Sequence, residues 1–193
     1  MDKIYRWELK DIIMVAVLSL FFATAYIGTV RIALIIGSFL TPFGLSQFAI
    51  EAVFGVFLTA ATITPYIMRK PGVALITETM AAVIQVPMGN PSGVLVIVSG
   101  LVQGLGAEAA FAGFRYKRYD MKSMCLAALG ACIGSLIWGF FRSGFLLIEP
   151  RILFFMFLVR ITSSILIAGV LMKVTGDRLA KSGVLKAYPI GRQ

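Results

Sequence analysis

Residues 100–111 read GLVQGLGAEAAF and lie within an apolar run that extends from Gly93 to Arg115. The run contains Gln103 and Glu108, although a charged side chain at membrane depth costs at least ~2.5 kcal/mol and therefore usually faces the interior of a bundle. The same stretch has glycines that leave a flat surface for the close approach of another helix, namely Gly100, Gly104 and Gly106. The stretch therefore predicts a packed membrane helix with its polar groups turned inward.

The whole chain has the composition of an integral membrane protein. Of its 193 residues, 59% are hydrophobic and 14% are charged, and the mean hydropathy is +0.92. An ordinary soluble domain has roughly 45–50% apolar and 25% charged residues. At ~20 apolar residues per span, a chain of this length has room for about six helices. We predict a single all-α membrane domain over residues 1–193, built as a bundle of six transmembrane helices.

The apolar runs place the six predicted helices at about residues 11–30, 46–68, 72–86, 92–114, 123–141 and 151–174. The connection at about 31–45 is mostly apolar and contains Gly37, Pro42 and Gly44, which is typical of a re-entrant or lid segment rather than a solvated loop. No repeat of roughly 20 to 50 residues is visible, so the inverted repeats of many carriers find no support in this sequence.

Lysine and arginine are distributed unevenly between the two ends of these helices. Under this map fourteen of the eighteen fall on one side, at positions 3, 6, 10, 69, 70, 115, 117, 118, 122, 173, 178, 181, 186 and 192. Because cytoplasmic loops carry an excess of Lys and Arg, both termini are predicted to be cytoplasmic and the number of spans to be even. The net charge of +9 thus reports topology in a lipid bilayer, and no nucleic-acid partner is predicted.

Several kinds of chemistry lack their residues in this chain. There is no histidine, so histidine-based catalysis and His-ligated metal sites are excluded. The G-x-x-x-x-G-K-[ST] phosphate loop is also absent from the sequence. We therefore predict no enzyme activity, catalytic residue, metal or cofactor, and we expect any ATP-driven work to be done by a partner.

Polar side chains inside the apolar runs form the candidate substrate site. Three carboxylates, on Glu51, Glu78 and Glu108, face one mid-depth cation, Arg160. A buried carboxylate is either protonated through desolvation or paired with a positive ligand, and a flat cation that stacks on aromatic rings suits such a site. The predicted substrate-binding residues are Tyr26, Gln47, Glu51, Glu78, Gln85, Asn90, Gln103, Glu108 and Trp138.

Structural alternatives stay open for several of these residues. Glu108 could pair with Arg160 and so lock two helices together. The glutamines could be interhelical contacts worth ~0.6 kcal/mol each. Arg142 and Arg151 are interpreted as contacts to lipid headgroups or loops rather than to a ligand.

Small residues on the first predicted helix form a second candidate surface. Ala16, Ser19 and Ala23 follow an i, i+3, i+7 course and share a face. Such a strip can dock another membrane helix closely. We predict partner docking here, with internal packing as the alternative, whereas Gly130 and Gly134 are predicted to pack internally.

Three stretches of the chain resemble a known family. They are residues 68–74 (MRKPGVA), 88–93 (MGNPSG) and, most specifically, 103–108 (QGLGAE). They resemble the YkoE family of substrate-binding (S) components of energy-coupling factor (ECF) transporters, and the similarity covers nearly the whole chain. The resemblance implies a six-helix S component in a bacterial cell membrane that captures thiamine, or its hydroxymethylpyrimidine part, from outside. It also implies a transmembrane coupling protein and two ATPase subunits as partners.

Other classes of membrane protein predict different behaviour. A stand-alone secondary carrier would couple ion or proton flow through Glu78 and Glu108 and would need no partner. A membrane enzyme would show a Ser with a His, a Gly-x-Gly-Asp motif, clustered Asp or paired Glu residues, none of which occurs in the sequence. A purely structural subunit would bind no small molecule.

Overall fold

The computed structural model describes residues 6–142 and 144–192. Within these ranges the α-helices are α1 (Leu9–Leu40), α2 (Ser46–Ala52), α3 (Thr59–Met68), α4 (Val73–Gln85), α5 (Leu95–Gly113), α6 (Met121–Arg142), α7 (Pro150–Ser163) and α8 (Met172–Lys181). A π-helical segment, Ser164–Leu171, joins α7 to α8. Short 3₁₀ turns occur at Thr41–Phe43, Phe54–Leu58, Phe145–Leu147 and Pro189–Arg192. The predicted all-α class is confirmed for the part of the chain that the structure describes.

Four segments are long and apolar enough to cross a membrane: Leu9–Phe43, Leu95–Gly113, Met121–Arg142 and Pro150–Lys181. A fifth crossing results if α2 and the Phe54–Met68 segment, which meet at a bend of 42°, are counted as one span. Helix α4 is apolar but has only 13 residues, or ~20 Å by helical rise, which is less than the ~30 Å hydrocarbon core of a bilayer. The protein is therefore a multi-pass membrane protein, with four or five candidate spans among the described residues and one shorter apolar helix.

Helix α1 is much longer than the first predicted helix. It has 32 residues, which is ~48 Å at 1.5 Å per residue. The predicted lid segment at 31–45 is therefore helical as far as Leu40, and the chain turns only at Thr41–Phe43 and at Gly44, whose φ is 69°. Arg31 is exposed and lies within α1, which continues for nine residues beyond it. The predicted helix end at residue 30 is wrong because an arginine can mark the membrane boundary while the helix continues beyond it.

The second predicted helix, at 46–68, is interrupted by the Phe54–Leu58 turn. The interruption brings the backbone against α7. The N–H of Gly55 donates a 3.0 Å hydrogen bond to Ser163 Oγ, and a Cβ on Gly55 would lie 2.2 Å from the Ser163 carbonyl oxygen. The last predicted helix, at 151–174, also differs: it corresponds to α7, the π-helical segment and the first residues of α8, and α8 continues beyond residue 174 to Lys181.

Helix α5 packs between α4 and α6, and its glycines permit close approach on both sides. A Cβ on Gly104 would lie 2.9 Å from Leu75 Cα in α4. A Cβ on Gly106 would lie 2.1 Å from the Gly130 carbonyl oxygen in α6. The stretch at 100–111 therefore forms the tightly packed helix that its glycines predict.

Gly106→Ala is expected to lower the thermal unfolding midpoint of the detergent-solubilised protein by roughly 5 °C, because overpacking of this kind costs about 1–3 kcal/mol. The added methyl group would collide with the α6 backbone at Gly130. Gly113→Ala is the matched control on the same helix, since nothing lies within 4 Å of a Cβ there. Equal midpoints for the two variants would show that the α5–α6 contact does not depend on this glycine.

Two of the three small residues in the predicted docking strip on α1 face inward rather than toward a partner. Ser19 Oγ donates a 3.2 Å hydrogen bond to the Thr77 carbonyl oxygen of α4. Ser19 and Ala23 are fully buried within the chain, whereas Ala16 is exposed. The docking strip predicted from Ala16, Ser19 and Ala23 is therefore wrong. Spacing alone cannot separate the two outcomes, because small residues permit close helix approach within a chain and between chains.

Candidate functional site

A cavity of about 370 Å³ lies near the connections that follow α1, α4 and α6. Its volume falls within the ~300–1,000 Å³ typical of small-molecule sites. Side chains from α1, α2, α4, α5, α6 and α7 form its wall. Eight of the nine predicted substrate-binding residues line it: Tyr26, Gln47, Glu51, Glu78, Gln85, Asn90, Gln103 and Trp138.

Glu51 of α2 and Arg160 of α7 form an ion pair in the cavity wall. Arg160 Nε donates to Glu51 Oε2 at 2.5 Å and Nη2 donates to Oε1 at 2.6 Å, so the pair is bidentate. The guanidinium lies 3.9 Å from the centroid of the Phe54 ring, and both charged side chains are buried. The pairing of Glu108 with Arg160 considered from the sequence is therefore wrong, and Glu51 has its own cation.

Glu78 of α4 is held by neutral donors. Its Oε2 accepts hydrogen bonds from the Tyr26 hydroxyl at 3.1 Å and from the Ala61 N–H at 2.9 Å. The Tyr26 oxygen in turn accepts from the Ala60 N–H at 2.9 Å. The Glu78 residue is only 2% exposed, and no Lys or Arg in the described ranges forms an ion pair with it. Glu78 is thus a cavity carboxylate whose observed partners carry no positive charge.

Amide side chains supply further polar groups. Asn90 Nδ2 donates to Gln85 Oε1 at 2.8 Å, and Asn90 Oδ1 accepts from the Ser92 N–H at 2.8 Å. These bonds tie the end of α4 to the connection that precedes α5. Gln47 and Gln103 line the cavity from α2 and α5. Because an amide both donates and accepts, this group can match the edge of a heterocycle that has both kinds of atom.

Arg142, at the end of α6, also lines the cavity. Its Nη1 donates to Ser99 Oγ at 3.4 Å and its Nη2 donates to Ser92 Oγ. Trp138 Nε1 donates to the same Ser99 oxygen at 3.0 Å. Arg142 therefore makes the loop contact interpreted from the sequence, through Ser92 in the connection before α5, and it also lines the cavity. The described lining holds two carboxylates and two guanidinium groups, so the predicted excess of negative charge does not hold for the cavity as a whole.

Glu108 lies outside the cavity and performs a structural task. Its carboxylate accepts hydrogen bonds from the backbone N–H groups of Gly72 at 2.6 Å and Ala74 at 3.0 Å, and from the Tyr116 hydroxyl at 2.8 Å. The first N–H groups of a helix have no partner within it, so Glu108 satisfies the start of α4 from a neighbouring helix. Its assignment to the substrate site is wrong, because it is ~140° around the axis from Gln103. The stand-alone secondary carrier considered from the sequence couples ion flow through Glu78 and Glu108. Only Glu78 of these two lines the cavity.

Some lining residues were not predicted from the sequence. Arg142 follows Trp138 by four positions, so the two share a helix face, and this spacing was the signal that could have found it. Phe54, Phe57 and Phe145 also line the cavity. No sequence feature distinguishes these three from the other phenylalanines among the fifteen in the chain.

Comparisons with known proteins agree with a transport protein of this architecture. A family model described as an ABC-type cobalt transport system, permease component, matches residues 10–134. A Bacillus subtilis (strain 168) protein named HMP/thiamine permease protein YkoE is 37% identical over 187 residues, which cover 97% of this chain and 92% of that protein. A crystal structure of an S-component of an ECF transporter superposes with a TM-score of 0.88 at 37% identity, over 97% of this chain and 92% of that one.

Proposed function

The chain belongs to the YkoE family of substrate-binding components of ECF transporters, and we propose that it captures thiamine, or its hydroxymethylpyrimidine part, from outside the cell. The family supports the role of a substrate-binding transport subunit. Two observations support thiamine or hydroxymethylpyrimidine as the ligand. The 37%-identical relative is named for HMP and thiamine, and the chemistry of the cavity suits these molecules.

The observation that carries the choice of ligand is the buried Glu78 carboxylate, which accepts hydrogen bonds from neutral donors in an aromatic-walled cavity. Thiamine combines a positively charged thiazolium ring with an aminopyrimidine edge that donates and accepts hydrogen bonds. A carboxylate forms its strongest hydrogen bonds with charged or strongly polarised donors. Gln85 and Asn90 offer amide groups to the pyrimidine edge, and Trp138 offers a ring for stacking.

In this role the protein spans a bacterial cell membrane six times, with α4 as the shortest crossing and both termini in the cytoplasm. The uneven distribution of lysine and arginine supports this orientation. The cavity lies near the connections after α1, α4 and α6. In this orientation these connections are on the outer side of the membrane. The partners are a transmembrane coupling protein and two ATPase subunits, which hydrolyse ATP, and the chain itself takes no cofactor.

Thiamine is expected to quench the fluorescence of the purified protein through Trp138, with half-saturation at or below micromolar ligand. The chain has two tryptophans, and Trp138 lines the cavity. Trp7 precedes α1, whose first residue, Leu9, lies ~25 Å by helical rise from the cavity residue Tyr26. Trp138→Phe is therefore expected to abolish the quenching, whereas Trp7→Phe, the matched control, retains it.

Calorimetry on the same samples measures binding independently of fluorescence. If the wild type shows neither heat nor quenching with micromolar thiamine or hydroxymethylpyrimidine, the proposed ligand is wrong. If quenching persists in Trp138→Phe and disappears in Trp7→Phe, the ligand binds at the other end of α1, and the cavity is not its site.

A further inference from the structure

Arg142 is the cavity cation that no carboxylate in the described ranges neutralises. The four ion pairs there use Lys10, Lys70, Arg160 and Lys173. Arg142 instead donates to two serine hydroxyl groups. The residue is exposed while it lines the cavity, which places it at the mouth. A guanidinium has five N–H donors in a planar fork, so donors remain for a ligand.

The charges of the cavity are separated by position. Arg160 is bound in a bidentate pair with Glu51 and is not available to a second anion in the same geometry. Glu78 lies on the side of Tyr26 and Ala61. Arg142 lies on the side of Ser92 and Ser99 at the mouth. The cavity therefore has a site that attracts positive charge and, separately, a site that attracts negative charge.

We propose that Arg142, with the hydroxyl group of Ser92, forms an anion subsite that accepts the phosphate of a phosphorylated ligand, namely a phosphate monoester of the same heterocyclic compound. Ser99 accepts a hydrogen bond from the guanidinium and holds it in place. This inference rests on the proposed function, because it extends the ligand of that cavity. A planar guanidinium matches the oxygens of a phosphate with two parallel hydrogen bonds. The Ser92 hydroxyl group can donate to a further phosphate oxygen, whereas the Ser99 hydroxyl donates to the Leu95 carbonyl oxygen at 3.3 Å.

The subsite also orients the ligand. Like charges repel, so the phosphate stays away from the Glu78 carboxylate and occupies the mouth, while the heterocycle enters toward Tyr26. Trp138 donates to Ser99 and lies one helical turn before Arg142, which places an aromatic ring beside the subsite. The protein is therefore expected to bind thiamine monophosphate at least as tightly as thiamine.

The test compares the affinities of thiamine and thiamine monophosphate by calorimetry in wild-type protein, Arg142→Gln and Arg142→Lys. In Arg142→Gln the dissociation constant for the monophosphate is expected to rise about 10- to 100-fold more than that for thiamine. Arg142→Lys keeps the charge but loses the fork, so an intermediate loss is expected. Arg151→Gln, an exposed arginine at the start of α7, is the matched control and leaves both constants unchanged.

Other results would overturn the subsite. Wild-type protein could bind thiamine more than about tenfold more tightly than the monophosphate, or Arg142→Gln could weaken the binding of both ligands equally. Either result would show that Arg142 does not bind a phosphate group of the ligand. A lipid headgroup offers the same phosphate chemistry, so retained phosphatidylglycerol is measured by mass spectrometry of each variant. If Arg142→Gln loses only this lipid, the arginine serves the bilayer. If wild-type protein binds neither ligand, the proposed function fails along with the subsite.

Discussion

Glu78→Gln is expected to weaken thiamine binding about 10- to 100-fold while leaving the fold intact. A hydrogen bond to a charged group contributes about 1.5–3 kcal/mol, and each 1.4 kcal/mol is a tenfold change in affinity. The amide oxygen of glutamine can still accept from the Tyr26 hydroxyl and the Ala61 N–H. The variant therefore removes the charge and keeps the shape of the wall.

The same variant separates two ways in which Glu78 could act. If it bonds the aminopyrimidine edge, hydroxymethylpyrimidine and thiamine lose affinity to the same extent. If it balances the thiazolium charge, thiamine loses affinity and the uncharged fragment does not. Calorimetry with both ligands distinguishes these cases.

Glu149→Gln is the control for Glu78→Gln, because Glu149 is exposed just before α7 and lies outside the cavity lining. It removes the same charge from the chain and is expected to leave both affinities unchanged. Unchanged binding of both ligands to Glu78→Gln would show that this carboxylate does not contact the ligand.

Removing either partner of the Glu51–Arg160 pair is expected to destabilise the protein by about 3–5 kcal/mol, because it leaves an uncompensated charge in the interior. Both side chains are buried, and the bidentate bonds join α2 to α7. Glu51→Gln and Arg160→Gln are each expected to lower the thermal midpoint in detergent by roughly 10 °C. Glu51→Gln/Arg160→Gln is expected to be more stable than the sum of the single losses predicts, because no charge then remains unpaired.

The controls for this cycle lie at the start of α7, the helix that carries Arg160. Glu149→Gln and Arg151→Gln remove an exposed acid and an exposed base, and changes at such surface positions are usually within about 0.5 kcal/mol. Strictly additive losses in the Glu51/Arg160 cycle would show that the two side chains contribute independently. In that case the pair would not hold α2 against α7.

The polar positions of the cavity were predictable because an ionisable or amide side chain in an apolar run is costly and usually faces the bundle interior. Gln85 and Glu78 lie seven positions apart and share a helix face, and both line the cavity. Glu108 offsets the same cost of burial in another way, because its carboxylate accepts hydrogen bonds from backbone N–H groups at the start of α4. The cost of burial identifies a residue that needs partners, but it does not say which partners.

The length and continuity of helices were harder to predict. Between Arg31 and Pro42 the helix-breaking residue is Gly37, and α1 continues through it to Leu40. A charge at the end of an apolar run therefore does not by itself mark the end of a helix. The break at Phe54–Leu58 has no proline. It depends on the close contact of Gly55 with Ser163, which lies 108 positions away in the chain.

Hydropathy and the cost of burying charge depend on residue type and local spacing, so the amino-acid sequence predicts a helical membrane protein and the positions of its buried polar side chains. The packing of the helices, in contrast, is needed to see that Arg160 neutralises Glu51, that Glu108 caps α4 and that Arg142 reaches the cavity. These outcomes depend on which helices meet, as between two residues 109 positions apart in the Glu51–Arg160 pair. A carboxylate has the same hydrogen-bonding capacity whether its donor is an arginine, a helix start or a ligand, so the packing of the chain makes the choice.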